Sequence, residues 1–379
     1  MQAKYRDVLI KLYSIGLEAV KGDNAVYSAL MQRGDMPACH VIAIGKAAES
    51  MYWGAKRYLD DALKSAFLIS KYGYFSTEAL ADPTLKLWEA AHPVPAESSL
   101  RAGEALLAHL HSLPAHEPCL FLISGGASSL CEVLESGRTL ECLQASTQQS
   151  LANGDTIDVI NAWRKTVSCI KGGKLWQFLG EHPVTALLIS DVPGDDPRMI
   201  GSGLLFPAPA EADFHWQIVA NNQQMLQAMA DSGLHKVIRI VPERLEGNAE
   251  KAAQNCVDYL RKKSRGIYLW GGETTVNLPE NPGRGGRNQH LALAAAIHLQ
   301  GEKKIHLLAI GSDGTDGVSD DAGALVDGAT LARGKLAGLE AKAYLQQADA
   351  GTFLEASGDL VSTGPTGTNV MDVVIGLKR

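Results

Sequence analysis

Cys119-Leu120-Phe121-Leu122-Ile123-Ser124-Gly125-Gly126-Ala127-Ser128-Ser129 joins five apolar residues to a Ser/Gly turn. A short continuous apolar run stopped by glycine reads as a strand covered on both faces. The same grammar recurs on either side. Val41-Ile42-Ala43-Ile44 ends in Gly45-Lys46, Ala66-Phe67-Leu68-Ile69-Ser70 follows it, and Thr185-Ala186-Leu187-Leu188-Ile189 ends in Ser190-Asp191. Helical patterns fill the gaps, from Ala47 to Leu59 and from Ser98 to Leu113. Strands alternating with helices predict an α/β fold built on a parallel sheet.

Phe206-Pro207-Ala208-Pro209-Ala210 interrupts this pattern and is the expected domain boundary, giving segments 1–210 and 211–379. The second segment is again α/β. Strands are expected at 217–220, 237–241, 267–270, 305–310 and 373–377, and helices at 223–232, 248–262, 288–299 and 329–337. Met1 to Asp23 reads as an amphipathic helix, and not as a signal peptide.

The 379 residues are 46% hydrophobic and 20% charged, ordinary values for a globular chain. A net charge of −7 argues against a general nucleic-acid binder. No window approaches about 18 uninterrupted apolar residues, so no membrane span is expected. The six cysteines form no C-x-x-C pair and no zinc spacing, and they read as thiols of a reducing compartment, the cytoplasm.

Four polar turns follow apolar runs: Ser124-Gly125-Gly126-Ala127-Ser128, Gly271-Gly272-Glu273-Thr274, Gly311-Ser312-Asp313-Gly314-Thr315-Asp316 and Gly364-Pro365-Thr366-Gly367-Thr368-Asn369. Such turns present backbone N–H groups and hydroxyls suited to phosphate oxygens. In open α/β sheets, ligands sit beyond the carboxyl ends of the strands. Taken together, the four turns suggest a polyanionic ligand, most simply a nucleoside triphosphate with its metal.

Lys46 opens a helix, where a cation can reach a phosphate on the helix N-terminus. The loop is no Walker A motif, since His40 stands for its first Gly and Ala47 for its Ser/Thr. No G-x-G-x-x-G occurs either. Asp191, Asp195 and Asp196 share one Pro/Gly turn and could hold Mg²⁺ or accept a hydroxyl proton. Lys171, before a Gly pair, could clamp a phosphate or carboxylate. Arg287 and Asn288 lie at a helix start, an anion site by geometry. Glu273, Asp313 and Asp316 add acids. Local cations, Gly-rich turns and clustered Asp fit electrostatic stabilisation of a transferring phosphoryl group. No Ser-His-Asp or Cys-His set stands out, and His92 in Ala91-His92-Pro93 lies apart from any recognisable nucleophile elbow.

In order along the chain, the Gly45, Ser124, Ile170-Lys171-Gly172-Gly173, Ser190 to Pro197, Gly271, Gly285-Gly286-Arg287-Asn288-Gln289, Ser312 and Gly364 motifs resemble the class II glycerate kinases, with their C-terminal MOFRL domain. The resemblance runs from about Val41 to Leu377. It implies a Rossmann-like N-terminal domain, a MOFRL-type α/β domain and an active site in the cleft between them. It implies transfer of the γ-phosphoryl group of ATP to the 2-hydroxyl of D-glycerate, with Mg²⁺ or Mn²⁺. By residue match, Lys46 would contact the transferring group, Asp191 would lie near the substrate hydroxyl, and Arg287 would steady phosphate or the substrate carboxylate.

The expected cofactor-binding set is Ser124, Gly125, Gly126, Ser128, Lys171, Gly271, Gly272, Glu273, Thr274, Asn288, Asp313, Thr366, Thr368 and Asn369. Asp191, Asp195, Asp313 and Asp316 are the expected metal ligands. A hydroxy acid is the expected partner, with no nucleic acid and no membrane, and a homodimer is compatible with this reading. The chain departs from the family pattern at Leu204, His290 and Ser312. The competing activities are NAD(P)H-dependent hydroxypyruvate reduction, which lacks its dinucleotide fingerprint here, and non-catalytic nucleotide or hydroxy-acid binding.

Overall fold

Residues 3–153 and 157–379 are described by a computed structural model. The first two residues of the expected N-terminal helix lie outside them. The described residues fall into two compact units. The N-terminal unit is Val20–Asn221 with Gly367–Val370; the C-terminal unit is the N-terminal helix up to Ala19, Asn222–Thr366 and Met371–Arg379.

The N-terminal unit holds strands β1 (Cys39–Ile44), β2 (Leu63–Lys71), β3 (Leu85–Ala90), β4 (Cys119–Ile123), β5 (Val184–Ile189) and β6 (Phe214–Ala220). All pair in parallel, in the order β3-β2-β1-β4-β5-β6. β1, β4 and β5 are buried along their whole length, as a sheet sandwiched between helices requires. Ile42, Ile44, Phe121, Ile123, Ala186 and Leu188 feed one core with Leu106 and Leu110 of helix Glu97–Ser112. Each Ile, Leu or Phe among them contributes roughly 1.5–3 kcal/mol by leaving water.

β3 was not read as a strand in the sequence. Its Leu-Lys-Leu-Trp-Glu-Ala pattern suits a half-exposed sheet edge, and at the edge is where it lies. β6 was expected in the second domain, yet it pairs with β5 from Val184↔Phe214 to Ile189↔Ala220. The division between units therefore falls after Asn221, not at Pro207/Pro209. Phe206 is buried and packs edge-on against Phe214 and Trp216, which ties the chain before the exposed Pro207 and Pro209 to the first unit's core.

The C-terminal unit carries β7 (Ile238–Ile240), β8 (Gly266–Gly272), β9 (Ile305–Gly311), β10 (Gly323–Asp327), β11 (Leu360–Val361) and β12 (Asp372–Lys378). Their order is β11-β10-β9-β12-β8-β7; only β7 and β8 are parallel. The chain's last strand thus sits mid-sheet between β9 and β8. Helix Ala249–Lys262 shows how sequence sets this packing. Asn248 caps it by accepting from Lys251 N at 3.1 Å, and Ala249, Ala252, Ala253, Cys256, Val257 and Leu260 form its buried stripe.

The N-terminal helix expected over Met1 to Asp23 is Ala3–Val20, and a second helix, Gly22–Arg33, follows that the sequence reading did not include. Leu9, Leu12 and Tyr13 of the first are buried, and Tyr13 Oη donates to the Gly311 carbonyl at 2.9 Å. Tyr13→Phe should lower the stability of the C-terminal unit by roughly 1 kcal/mol, because one buried acceptor loses its donor. Urea denaturation checks this; an unchanged midpoint would contradict it.

Candidate functional site

In the N-terminal unit the strand order reverses between β1 and β4, the switch point where ligands bind in open α/β sheets. Both strands end there in polar turns that are tied together. Ser124 N donates to Ile44 O at 3.0 Å, Ala47 N to Ser124 Oγ at 3.0 Å, and Lys46 N to Gly125 O at 2.9 Å. Gly45, at φ 132°, leaves no space for a side chain beside Ser124. Lys46 is held by its own backbone at the rim of the Ser124–Ser128 turn.

Gly125 admits two further groups. A Cβ on it would overlap Asp191 Oδ2 and Asn369 Nδ2, which are hydrogen-bonded to each other at 3.0 Å. Asp191 leaves the end of β5, fixed by Ser190 N to Ala220 O at 2.9 Å. Gly126 lies in left-handed conformation at φ 87°, and a Cβ there would stand 3.1 Å from His92 Cδ2 and 3.4 Å from Lys46 Cγ. A cation, an imidazole, a carboxylate and a carboxamide therefore converge on two glycines. The sequence gives His92 no role, because it stands apart from any nucleophile elbow along the chain. It directly follows β3, the strand whose mixed polarity concealed it.

Other expected residues have different duties. Lys171 is fully buried and ion-paired with Glu132, away from any ligand surface. Asp195 accepts from Asn221 Nδ2 at 2.8 Å. Thr368 Oγ1 donates to Val20 O at 2.7 Å, so its hydroxyl anchors the chain. Thr366 Oγ1 donates to Ser312 O at 2.5 Å in the C-terminal unit.

In that unit Gly271 and Gly272 are not a turn. They are the last residues of β8, paired with Val373 and Asp372. Side chains there would overlap Asn222 and the Leu245 carbonyl, so their glycine identity reflects close packing. Thr274 just beyond is buried. Arg287 opens helix Arg287–His298. Its Nε and Nη2 reach Asp372 Oδ2 and Oδ1 at 2.5 and 3.2 Å, and Nη1 pairs with Glu273. Burial opposes its charge, but Asp372 and then Glu273 outweigh that and raise the guanidinium above its ordinary value. Asp313 Oδ1 accepts from Thr315 N at 3.2 Å and shapes its own turn.

Asp316 caps the same helix. Its oxygens accept from Asn288 N at 3.0 Å, Asn288 Nδ2 at 3.2 Å and Gln289 N at 2.8 Å. Asn288 and Asp316 are thereby used on each other. Burial pushes the Asp316 carboxyl up to about 7 against those donors. A buried carboxyl whose oxygens are both taken by the cap is a poor metal ligand. Among the described residues, no group of three or more His, Cys, Asp or Glu is arranged to hold a metal ion. Mg²⁺ needs less than that, since one or two carboxylates plus phosphate oxygens and water suffice, and Asp191 fits such a role. No described helix is long and apolar enough to cross a membrane.

These two sheets and their glycine-bound turns define an α/β protein of two units with a polar site at a sheet switch point. Residues 8–234 match the family model for a domain of unknown function, DUF4147, and residues 266–372 match the MOFRL family. The chain belongs to the class II glycerate kinase family. A D-glycerate 2-kinase of Thermotoga maritima is 32% identical, over 98% of each chain. A glycerate 2-kinase of Pyrococcus horikoshii is 30% identical, over 89% of this chain and 87% of its own length. A solved glycerate kinase structure from Thermotoga maritima matches with a TM-score of 0.85 at 30% identity, over 100% of both chains.

The Asp316 carboxyl carries a pH signature. Its value rises from 3.8 to about 7 on folding, so the protonated form favours the native state. That contribution is fully present below about pH 4 and is lost as pH rises through about 7. The urea midpoint should therefore fall from pH 5 to pH 8 more steeply in wild type than in Asp316→Asn. Parallel slopes would contradict the assignment.

Proposed function

We propose that this chain transfers the γ-phosphoryl group of ATP to D-glycerate, at the 2-hydroxyl, in the cytoplasm. The observation that carries the reading is the convergence of Lys46, His92, Asp191 and Asn369 on Gly125 and Gly126. Relatives that match 89–98% of the chain bear the glycerate 2-kinase name. The turn suits a phosphorylated ligand because glycine lets the backbone approach it closely and Lys46 brings a cation. ATP supplies the phosphoryl group, and a bound Mg²⁺ or Mn²⁺, held by Asp191 and the phosphates, would neutralise charge on its oxygens.

The chain's own residues do the rest. Lys46 stabilises negative charge that develops on the transferring group. Asp191 accepts the hydroxyl proton, and Asn369 holds its carboxylate in one orientation. Arg287, held by Asp372 and Glu273, steadies a phosphate or carboxylate of the ligand by exchanging one of those partners. Asp191 is the metal-contacting acid in this reading, and Asp195 and Asp313 support the turns that carry such ligands.

Relatives from Agrobacterium vitis at 33% identity carry a provisional hydroxypyruvate reductase name. The Gly45-Lys46-Ala47 turn after β1 lacks the glycine spacing of a dinucleotide site. Incubation with ATP, Mg²⁺ and D-glycerate, followed by phosphorus NMR, should show 2-phosphoglycerate. NADH consumption with hydroxypyruvate, and no phosphoglycerate, would overturn the proposal.

Lys46→Met should lower kcat by about 10²–10³ with much less effect on glycerate binding, because its charge acts mainly in the transition state. Lys46→Arg should rescue only in part. Steady-state kinetics on the folded variants decides, and a near-normal kcat for Lys46→Met would refute the role. Excess chelator should abolish turnover and added Mg²⁺ or Mn²⁺ should restore it, as a hard, oxygen-seeking ion requires. Full activity in chelator would contradict the metal-assisted reading.

A further inference from the structure

A buried charge cluster lies beneath the Gly125–Ser128 turn, and the function proposed above does not use it. Glu132 follows the short helix Ala127–Leu130 and is fully buried. It accepts from Lys171 Nζ and Ser168 Oγ, and from Val133 N at 3.0 Å. Both of its oxygens are thereby engaged. Lys171, equally buried, neutralises it.

A second cation stands beside this pair. Arg164, on helix Ile157–Val167, is 6% exposed. Its Nη1 donates to Ser128 Oγ at 3.0 Å, and its Nε has no hydrogen-bond partner among the described residues. No carboxylate among the described residues forms an ion pair with it; Glu132 acts on it electrostatically but is already paired with Lys171. Among the described residues the cluster therefore holds two cations and one anion. Burying an unmatched guanidinium is strongly unfavourable unless something supplies the counter-charge.

Ser128 shows where that counter-charge belongs. A serine hydroxyl has one proton to give and lone pairs to accept with. Arg164 occupies the acceptor side, so the Ser128 O–H is left to donate, and a cationic donor polarises it further. Ser128 is part-exposed on the turn that carries Gly126, next to Lys46 and His92. A donor backed by buried positive charge fits an acceptor-only group, a carboxylate or a phosphate.

We infer that Arg164 is a positioning residue for an anionic group of the ligand. Through the Ser128 hydroxyl it delivers to the Gly125–Ser128 turn the positive charge that Lys171, spent on Glu132, cannot. This rests on the functional reading above and deepens it. The anion is either the carboxylate of the hydroxy acid or a phosphate of the nucleotide.

Calorimetric titration of the full chain with D-glycerate, with ATP and with inorganic phosphate tests the inference without turnover. Wild type, Arg164→Met, Arg164→Lys and Ser128→Ala are compared, with circular dichroism and thermal melting to verify folding. Ser128→Ala removes one hydroxyl only and keeps the test alive should Arg164→Met fold poorly. One ligand should bind about 10–100-fold more weakly to Arg164→Met and Ser128→Ala, with Arg164→Lys intermediate. Selective loss of D-glycerate assigns the carboxylate, and selective loss of ATP and phosphate assigns the phosphate. Unchanged binding of every ligand, or equal loss of all with a lowered melting temperature, would overturn the inference. Wild type that binds phosphate but neither D-glycerate nor ATP would defeat the proposed function, while the phosphate arm still judges Arg164. Wild type that binds none of the three would defeat both.

Discussion

Gly125 has no side chain, and the space a Cβ would take is filled by the carboxylate of Asp191 and the carboxamide of Asn369. Three turns distant in sequence meet on that vacancy. The turn after β1 is bound to it through Lys46 N and Gly125 O, the turn after β5 brings Asp191, and a segment close to the C-terminus brings Asn369. Parallel strands make this possible, because their carboxyl ends all open on one edge of the sheet. The reversal of strand order between β1 and β4 then separates the helices enough for loops to converge. Sheet topology sets the place, and the lack of one Cβ sets the distance.

The C-terminal unit works by different means. Its functional candidate, Arg287, is held by two carboxylates, and the helix it opens is capped by a third, Asp316. Asp372, at the start of β12, accepts both hydrogen bonds from one edge of the guanidinium. A bidentate clamp fixes the plane of the fork, which a single contact does not. Asn222 ties its side chain to the Asp372 carbonyl, so the clamp is fastened to the backbone of the central strand. Such a network gives an arginine of defined orientation, at the cost of desolvating several charges.

Where the sequence was legible, a single physical rule governed the segment. β4 and the Ser124–Ser128 turn could be read at once, since five buried apolar residues before a Gly pair admit few alternatives. β3 could not, because Lys86 and Glu89 interrupt the apolar run of a half-exposed edge strand. β6 reads as part of the second sheet because the exposed Pro207/Pro209 break looks like a linker; its pairing with β5 and the packing of Phe206 on Phe214 and Trp216 place it in the first. Lys46, Asp191 and Asn369 carried local signals of their own. Lys171 carried the same kind of signal and is a buried ion-pair partner; its counterion Glu132 is far from it in sequence and gave no warning. Arg164 and His92 act through neighbours that only the fold supplies.

Gly125 is where Asp191 and Asn369 meet the turn, so the most direct measurement is the kinetics of Gly125→Ala alongside its melting curve and circular dichroism. A single methyl there displaces Asp191 and Asn369 and leaves the sheet beneath intact. The expected result is a folded protein with native helix and strand content whose kcat/KM for glycerate phosphorylation falls by more than about 10², since a misplacement near 1 Å suffices for that loss. A folded Gly125→Ala protein with undiminished kcat/KM would contradict the account.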